Sequence, residues 1–161
     1  MFERFTRDAR VAIDRAQDVA RRLGAEHVEP EHLLVALACG HADAASQAIA
    51  DVGLDAGAIE DAIEQDLVAA LEIVGVPAEV VAATPIHPRA DRPGFSLASR
   101  QVLEQALATV LRRGERGIGS EHVLLGLVDP PAVGVGRVLR ALDVEPRRLA
   151  DIVQVEMAAR R

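Results

Sequence analysis

Residues 5–71 of this chain of 161 residues recur at 95–161, displaced by a constant 90 positions. Phe5 aligns with Phe95, Arg10 with Arg100, Ala16 with Ala106 and Gly24 with Gly114. The pair Glu31-His32 aligns with Glu121-His122, and Leu34 and Leu37 align with Leu124 and Leu127. The register holds through Ile49 on Leu139, Val52 on Leu142, Ile59 on Leu149 and Ile63 on Val153. A fixed offset that preserves apolar positions marks a duplicated structural unit. Any site present in one copy is then expected in two versions, which suits a binding surface better than a catalytic centre.

The apolar spacing inside each copy is helical. Ala9, Ala12, Ile13, Ala16, Val19, Ala20 and Leu23 recur every three or four residues, which predicts a long helix after Thr6, closed near Gly24. A second helix begins at Pro30 and carries Leu33, Leu34 and Leu37. A third spans roughly 43–52, and a fourth roughly 55–73 with Ile59, Ile63, Leu67 and Leu71 inward. The second copy repeats the set after Ser96, after an N-cap at Ser120, near 132–142 and near 145–159. No strict alternation of the kind a half-buried strand requires is present. The expected architecture is all-α, a pseudo-twofold duplication of a four-helix repeat giving eight helices. One domain covers 1–161, with repeat one at 1–73, a linker at 74–94 and repeat two at 95–161. Pro77, Pro85, Pro88 and Pro93 interrupt the linker, so Thr84–Gly94 is expected to be extended, and Val76–Ala83 to be either a helical turn or a surface-lying run.

Half of the residues are apolar, yet there are only three Phe and no Trp or Tyr, so the core must be built from Ala, Leu, Val and Ile. The net charge of −7 argues against a nucleic-acid partner. All eighteen basic residues are Arg, which reflects either a GC-rich genome or avoidance of lysine-directed modification. Cys39 is the lone cysteine, so no internal disulfide forms. No segment has membrane-spanning length, and Met1 leads straight into charged residues, so a cytoplasmic location is expected and no membrane partner.

The opening Met1-Phe2-Glu3-Arg4-Phe5-Thr6, followed by Ala9-Arg10 and Ala16-Gln17, resembles the start of the N-terminal domain of bacterial ClpC-type unfoldases. The run Ile118-Gly119-Ser120-Glu121-His122-Val123-Leu124-Leu125-Gly126-Leu127 is similar to that family's GTEHILLGL signature, which the family also carries twice. The resemblance covers the whole chain apart from the linker. It implies a non-enzymatic receptor domain for peptides, substrates and adaptor proteins of a Clp unfoldase and protease, with no cofactor. It also implies two more specific ligands, phosphoarginine on marked proteins and cyclomarin-type cyclic peptide antibiotics. No G-x-x-x-x-G-K-[ST] phosphate loop occurs, and Gly114–Ser120 has no Lys. A complete chain would thus be a free-standing adaptor, decoy or antibiotic-sequestering relative; a partial one would be the receptor piece of a full Clp ATPase.

The resemblance assigns Glu31 and Glu121 to holding a phosphoarginine guanidinium, and the chemistry is sound. A carboxylate pairs with a planar guanidinium through two hydrogen bonds, and a helix N-terminus supplies N–H groups to a phosphate. Gly119 and Ser120 keep that donor-rich opening, whereas Glu29-Pro30 adds a negative charge and lacks one N–H, so at most one working site is expected, around Glu121. The competing reading is that both glutamates only stabilise helix N-termini. Phe2 and Phe95, with Arg100 near Phe95, are assigned by the same resemblance to an apolar patch between the repeats that takes cyclic peptides. The competing reading makes Phe5 and Phe95 equivalent core residues, and Ser96-Leu97-Ala98-Ser99 departs from the family's usual residues here. His32 and His122 lack the H-E-x-x-H spacing of a zinc site and are expected to be structural. Two readings of other classes stand beside these: a small hydrolase or metalloprotein built on the Glu-His pairs, and a structural dimerisation domain.

Overall fold

The computed structural model describes residues 3–159; Phe2 lies outside them. Helix α1 (Arg7–Arg22) buries Ala9, Ala12, Ile13, Ala16, Val19 and Ala20 along one stripe, with Asp8 in its first turn and Arg21 and Arg22 in its last, matching the helix dipole. Gly24 follows at φ +69, a left-handed conformation that suits glycine at a helix end. After a two-residue strand β1 (His27–Val28), helix α2 (Pro30–Ala38) is buried on nearly every side and forms the centre of repeat one. Helix α3 (Ala44–Asp51) is capped by Asp43, which accepts from the Ser46 N–H, and α4 (Ala56–Ile73) by Asp55, which accepts from the Ala58 N–H. Repeat two starts at β2 (Gly94–Phe95), preceded by α5 (Ala78–Ala83), and continues as α6 (Leu97–Arg113), α7 (Ser120–Val128), α8 (Val133–Ala141) and α9 (Pro146–Ala159).

The two repeats interlock by exchanging equivalent contacts. β1 and β2 pair in parallel, with His27 opposite Gly94 and Val28 opposite Phe95. Ninety positions away, Phe5 forms a parallel bridge with Ile118. The Val28 carbonyl accepts from the Ser96 N–H at 3.1 Å and the Ser99 hydroxyl at 2.6 Å, while the Ile118 carbonyl accepts from the Thr6 N–H at 3.0 Å. Helix α4 packs on α8, and its mate α9 on α3. Each contact thus has a counterpart, as in a twofold interface between identical subunits. Leu33, Leu34, Leu37, Ile49 and Ile59 from repeat one meet Leu124, Leu127, Leu139 and Leu149 from repeat two in a continuous interior that lacks large aromatics apart from Phe5.

All eight expected helices are present, and α5 adds a ninth among the described residues, within the segment between the repeats. Pro77 precedes α5 and supplies the fixed φ with which a helix starts. Two local expectations are corrected. The N-cap of α7 is Gly119, and Ser120 is already helical and buried, its hydroxyl donating to Asp43 of repeat one. Leu67 is not inward but exposed, and Ile63 and Leu71 are only half-buried. Burial on α4 stops at Ala62; beyond it the helix is tied to the body by Asp66, which pairs with Arg137 of α8, and packs against α5. Beyond Thr84 the chain runs beside α1: Ile86 and His87 lie over Gly24, Arg92 donates to Gln17 at 2.9 Å, and the Pro93 carbonyl accepts from Gln17 at 3.0 Å.

Candidate functional site

Where the exchanged strands meet, α1 and α6 bound a cleft of about 660 Å³. Its floor comes in pairs related by the 90-residue offset, Phe5 with Phe95 and Ile13 with Leu103, together with Ile118 and Leu107. Phe5, Ile13, Leu103 and Ile118 are buried and Phe95 is half-buried, so the floor is apolar and only partly covered. The rim is charged: Asp14 and Glu104, again a repeat pair, with Arg4, Arg92 and Arg100. Arg92 comes from the inter-repeat segment and lies 3.4 Å from Asp14, so that segment forms one wall of the cleft and does not close it. An apolar floor with a few directed polar groups at its edge is the usual form of a ligand site. Phe95 and Arg100 are therefore brought together here, and Phe5 joins them as a wall residue as well as a core residue. Sequence reasoning did not single out Ile13, Leu103, Asp14, Glu104 or Arg92; applying the repeat offset to the faces of α1 and α6 would have found the first four.

Glu121 and Glu31 lie elsewhere: Glu31 lines a shallow pocket, and the repeat mate of that pocket is lined by Asp8 and Asp43, which reach Ser120 beside Glu121. At the Glu121 end, the donors expected to receive a phosphate are already engaged. The Ser120 N–H points at Asp8 Oδ2 (3.3 Å), and the Ser120 hydroxyl donates to Asp43 Oδ1 (2.9 Å). Burial would raise the Asp8 pKa, but hydrogen bonds from Thr6 and Ser120 outweigh it and hold the carboxyl below its ordinary value, so it stays ionised. Glu121 folds back over Gly119, where any β-carbon would strike its carboxylate. Two internal carboxylates and Glu121 thus share the space around Ser120, and neither Asp8 nor Asp43 was singled out from sequence.

Glu31 crosses to the other repeat and sits over Gly134 in the first turn of α8, so close that a β-carbon there would collide with it. Helix α8 has Ala132 at its N-cap and no side-chain acceptor of its own. The Glu31 carboxylate therefore faces the positive end of a helix from the opposite repeat. Burial raises its pKa, its own backbone N–H lowers it, and the neighbouring Glu29 charge raises it further; the net shift is upward. The pocket beside it, about 530 Å³, is walled by Pro130, Val133 and Arg137.

His32 and His122 are N-terminal caps. Nδ1 of His32 accepts from the Glu29 N–H and Nδ1 of His122 from the Gly119 N–H, both at 3.0 Å. Burial pushes the His32 pKa down to about 4, so its imidazole is neutral. His122 Nε2 lies 2.8 Å from Glu115, whose own carboxylate is also held by Arg113 at 2.6 Å. Among the described residues no three His, Cys, Asp or Glu side chains converge to hold a metal ion, and no helix is long and apolar enough to cross a membrane.

The fold and cleft define an all-helical tandem-repeat domain whose halves exchange edges around a shared groove. Residues 4–142 match the family model of the Clp repeat (R) N-terminal domain, and the chain belongs to that family. It is 35% identical over 151 residues to the chloroplastic chaperone protein ClpC1 of Oryza sativa subsp. japonica, covering 92% of this chain and 15% of that protein. It is 28% identical over 144 residues to the chaperone protein ClpB of Oceanobacillus iheyensis, covering 89% of this chain and 16% of that one. The chain thus spans about one-seventh of the length of these relatives. Among solved structures, the N-terminal domain of ClpD from Arabidopsis thaliana superposes with a TM-score of 0.71 at 24% identity, covering 98% of this chain and 99% of that one. The Hsp104 N-terminal domain from Candida albicans gives 0.65 at 17% identity, covering 94% and 89%. These likenesses establish the fold.

Proposed function

We propose that this domain is a non-enzymatic receptor for protein segments, working within Clp-dependent chaperone and proteolytic systems. The observation that carries the reading is the cleft between the repeats, apolar along Phe5, Phe95 and Leu103 and rimmed by charges of both signs. Such a groove takes an apolar side chain or a compact cyclic peptide into its floor and orients it at the rim. The relatives are chaperone proteins, and a receptor domain gives such a machine its first contact with a client or an adaptor. Acting as a free-standing adaptor, decoy or antibiotic-sequestering homologue is the finer form of the same proposal.

The test is calorimetric titration of the whole chain with a cyclomarin-type cyclic peptide. Binding that weakens about tenfold or more in Phe95→Ala and Arg100→Ala supports the cleft. Equal affinity in the parent and both variants would remove it. Phosphoarginine is the second ligand for this reading. At Ser120 the phosphate must displace Asp8 and Asp43, so we propose that it binds weakly to the parent and more tightly once Asp43→Asn removes one of those charges. Loss of that gain in Glu121→Ala, with Glu31→Ala unaffected, would locate the guanidinium; equal losses from both would refute a single site.

A further inference from the structure

Residues 23–88 hold twelve carboxylates and no Arg or Lys, while all eighteen Arg lie at 4–22 and 89–161. The second half of that acidic stretch is the α4–α5 hairpin, where nothing is buried after Ala62. Yet it is not polar. Leu67, Ile73, Val74 and Val80 are 53, 85, 73 and 52% exposed, four of the ten large apolar side chains found on the surface of the described residues. Their concentration within fourteen positions is what a docking surface shows and what scattered surface residues do not. The hairpin stands apart from the shared core: α5 packs principally on α4, and neither helix buries a side chain beyond Ala62.

The hairpin also has a shape. Asp61, Glu64 and Glu72 border a shallow groove of about 330 Å³ along α4, with Val68 and Ala69 as its floor. These positions are three and four apart, so they form one stripe, and Leu67 and Leu71 continue it on the flank. Asp66 and Glu60, by contrast, are tied to Arg137 and Arg22 of the body. We infer that the α4–α5 hairpin docks a cationic amphipathic helix of a partner protein, its apolar side laid on Val68, Ala69 and Leu67 and its Lys or Arg side chains over Asp61, Glu64 and Glu72. The mode is that of a helix laid in a groove, with charge setting the choice of partner. A second copy is a poorer occupant, since chains of net charge −7 repel one another. This surface is separate from the cleft between the repeats and does not depend on the receptor reading.

A fluorescent peptide of about 18 residues, with Leu at helical spacing on one face and Lys elsewhere, is titrated against the whole chain. Its probes for specificity are the isomeric Leu/Glu peptide and a scrambled Leu/Lys sequence. The expected result is binding by the amphipathic cationic peptide alone, with amide shifts confined to residues 61–83. Affinity falls about tenfold in Leu67→Ser/Val68→Ser and by a similar factor in Glu64→Gln/Glu72→Gln, with added salt weakening the parent toward the charge variant. These side chains are exposed or half-exposed, so the variants fold. Unchanged affinity in both variants overturns the proposal, as do shifts that map to the cleft or equal binding of the acidic peptide. A concentration-dependent mass of the chain alone that Leu67→Ser/Val68→Ser abolishes also overturns it, in favour of pairing between copies.

Discussion

Helices α1 and α2 of repeat one and α6 and α7 of repeat two are built to one plan, but the second pair has less room at one buried position. The mate of Ala36, on α2, is Gly126, on α7. A β-carbon at Gly126 would stand 2.6 Å from the Val102 carbonyl oxygen of α6, inside van der Waals contact with backbone that has no rotamer to change. Ala36 carries its methyl fully buried without such a conflict. Equivalent positions of the duplicated unit therefore differ: one holds a methyl group in the core, and the other has no room for one. The sharpest way to break this comparison is Gly126→Ala. We expect a loss of about 3 kcal/mol in denaturant unfolding, because α6 and α7 must separate. Ala36→Gly should cost only about 1 kcal/mol, the entropic penalty of glycine within a helix. Equal costs would mean that the two crossings are alike.

The capping histidines differ in the same manner. Both accept an N–H at the start of a helix, but His122 faces Glu115, whereas the mate of Glu115 in repeat one is Ala25. With no carboxylate opposite it, buried His32 titrates at about 4, against 6.5 for the exposed group. The unfolded chain takes up this proton first as pH falls, so the His32 contribution is complete above about pH 6.5 and is lost progressively toward pH 4. By pH 5 the loss is about 2 kcal/mol. His32→Gln keeps an acceptor at that capping position but has no proton to bind. Its stability, measured against pH, should lack that part of the decline, and a variant that follows the parent between pH 6.5 and 4 would show that His32 is not the group responsible.

These differences explain what sequence reasoning reached. The repeat, the eight helices and the apolar stripes of α1 and α6 were legible because they depend on local spacing, and a constant offset doubles the signal. The pairing of Phe95 with Arg100 was legible for the same reason, since both sit at the start of one repeat. What escaped depends on contacts across the pseudo-twofold. Nothing local marks Asp8 and Asp43 as the acceptors around Ser120, because they come from repeat one and Ser120 from repeat two. The sequence offers Glu31 two roles, a guanidinium ligand and a carboxylate at the start of its own helix, and neither anticipates that it sits over the first turn of α8 in the other repeat. The inward placement of Leu67 failed because periodicity reports which face is apolar and not whether anything covers it.

Capping at α3 and α8 separates the repeats on a smaller scale. Helix α3 uses its own Asp43, while α8 receives Glu31 from the opposite repeat. Asp43→Ala removes the acceptor of both the Ser46 N–H and the buried Ser120 hydroxyl and should cost about 2 kcal/mol in thermal or denaturant unfolding. Glu31→Gln leaves the shape at Gly134 and removes only the charge, so its cost should stay below about 1 kcal/mol and fade as salt is added. If the order were reversed, the contact supplied across the repeats would be the stronger of the two.

The smallest effect concerns the α4–α5 hairpin beyond Ala62, the part of repeat one that lies outside the buried core. If the α4–α5 hairpin were a further layer of the core, its apolar residues would matter to folding as those of α2 do. Ile73 is 85% exposed, and α5 touches only α4 among the principal helix contacts. Removing an exposed side chain exposes no cavity and leaves no polar group unpaired, so Ile73→Ser should change the unfolding free energy by less than about 0.5 kcal/mol. The contrast within one helix is the informative measurement. Ile59, fully buried fourteen positions earlier on α4, should lose about 3 kcal/mol when cut to Ala. A helix whose first half is held by the core at that strength, and whose second half is indifferent to loss of its apolar groups, keeps those groups for something other than its own stability. A loss at Ile73 approaching that at Ile59 would instead make the hairpin part of the folded core.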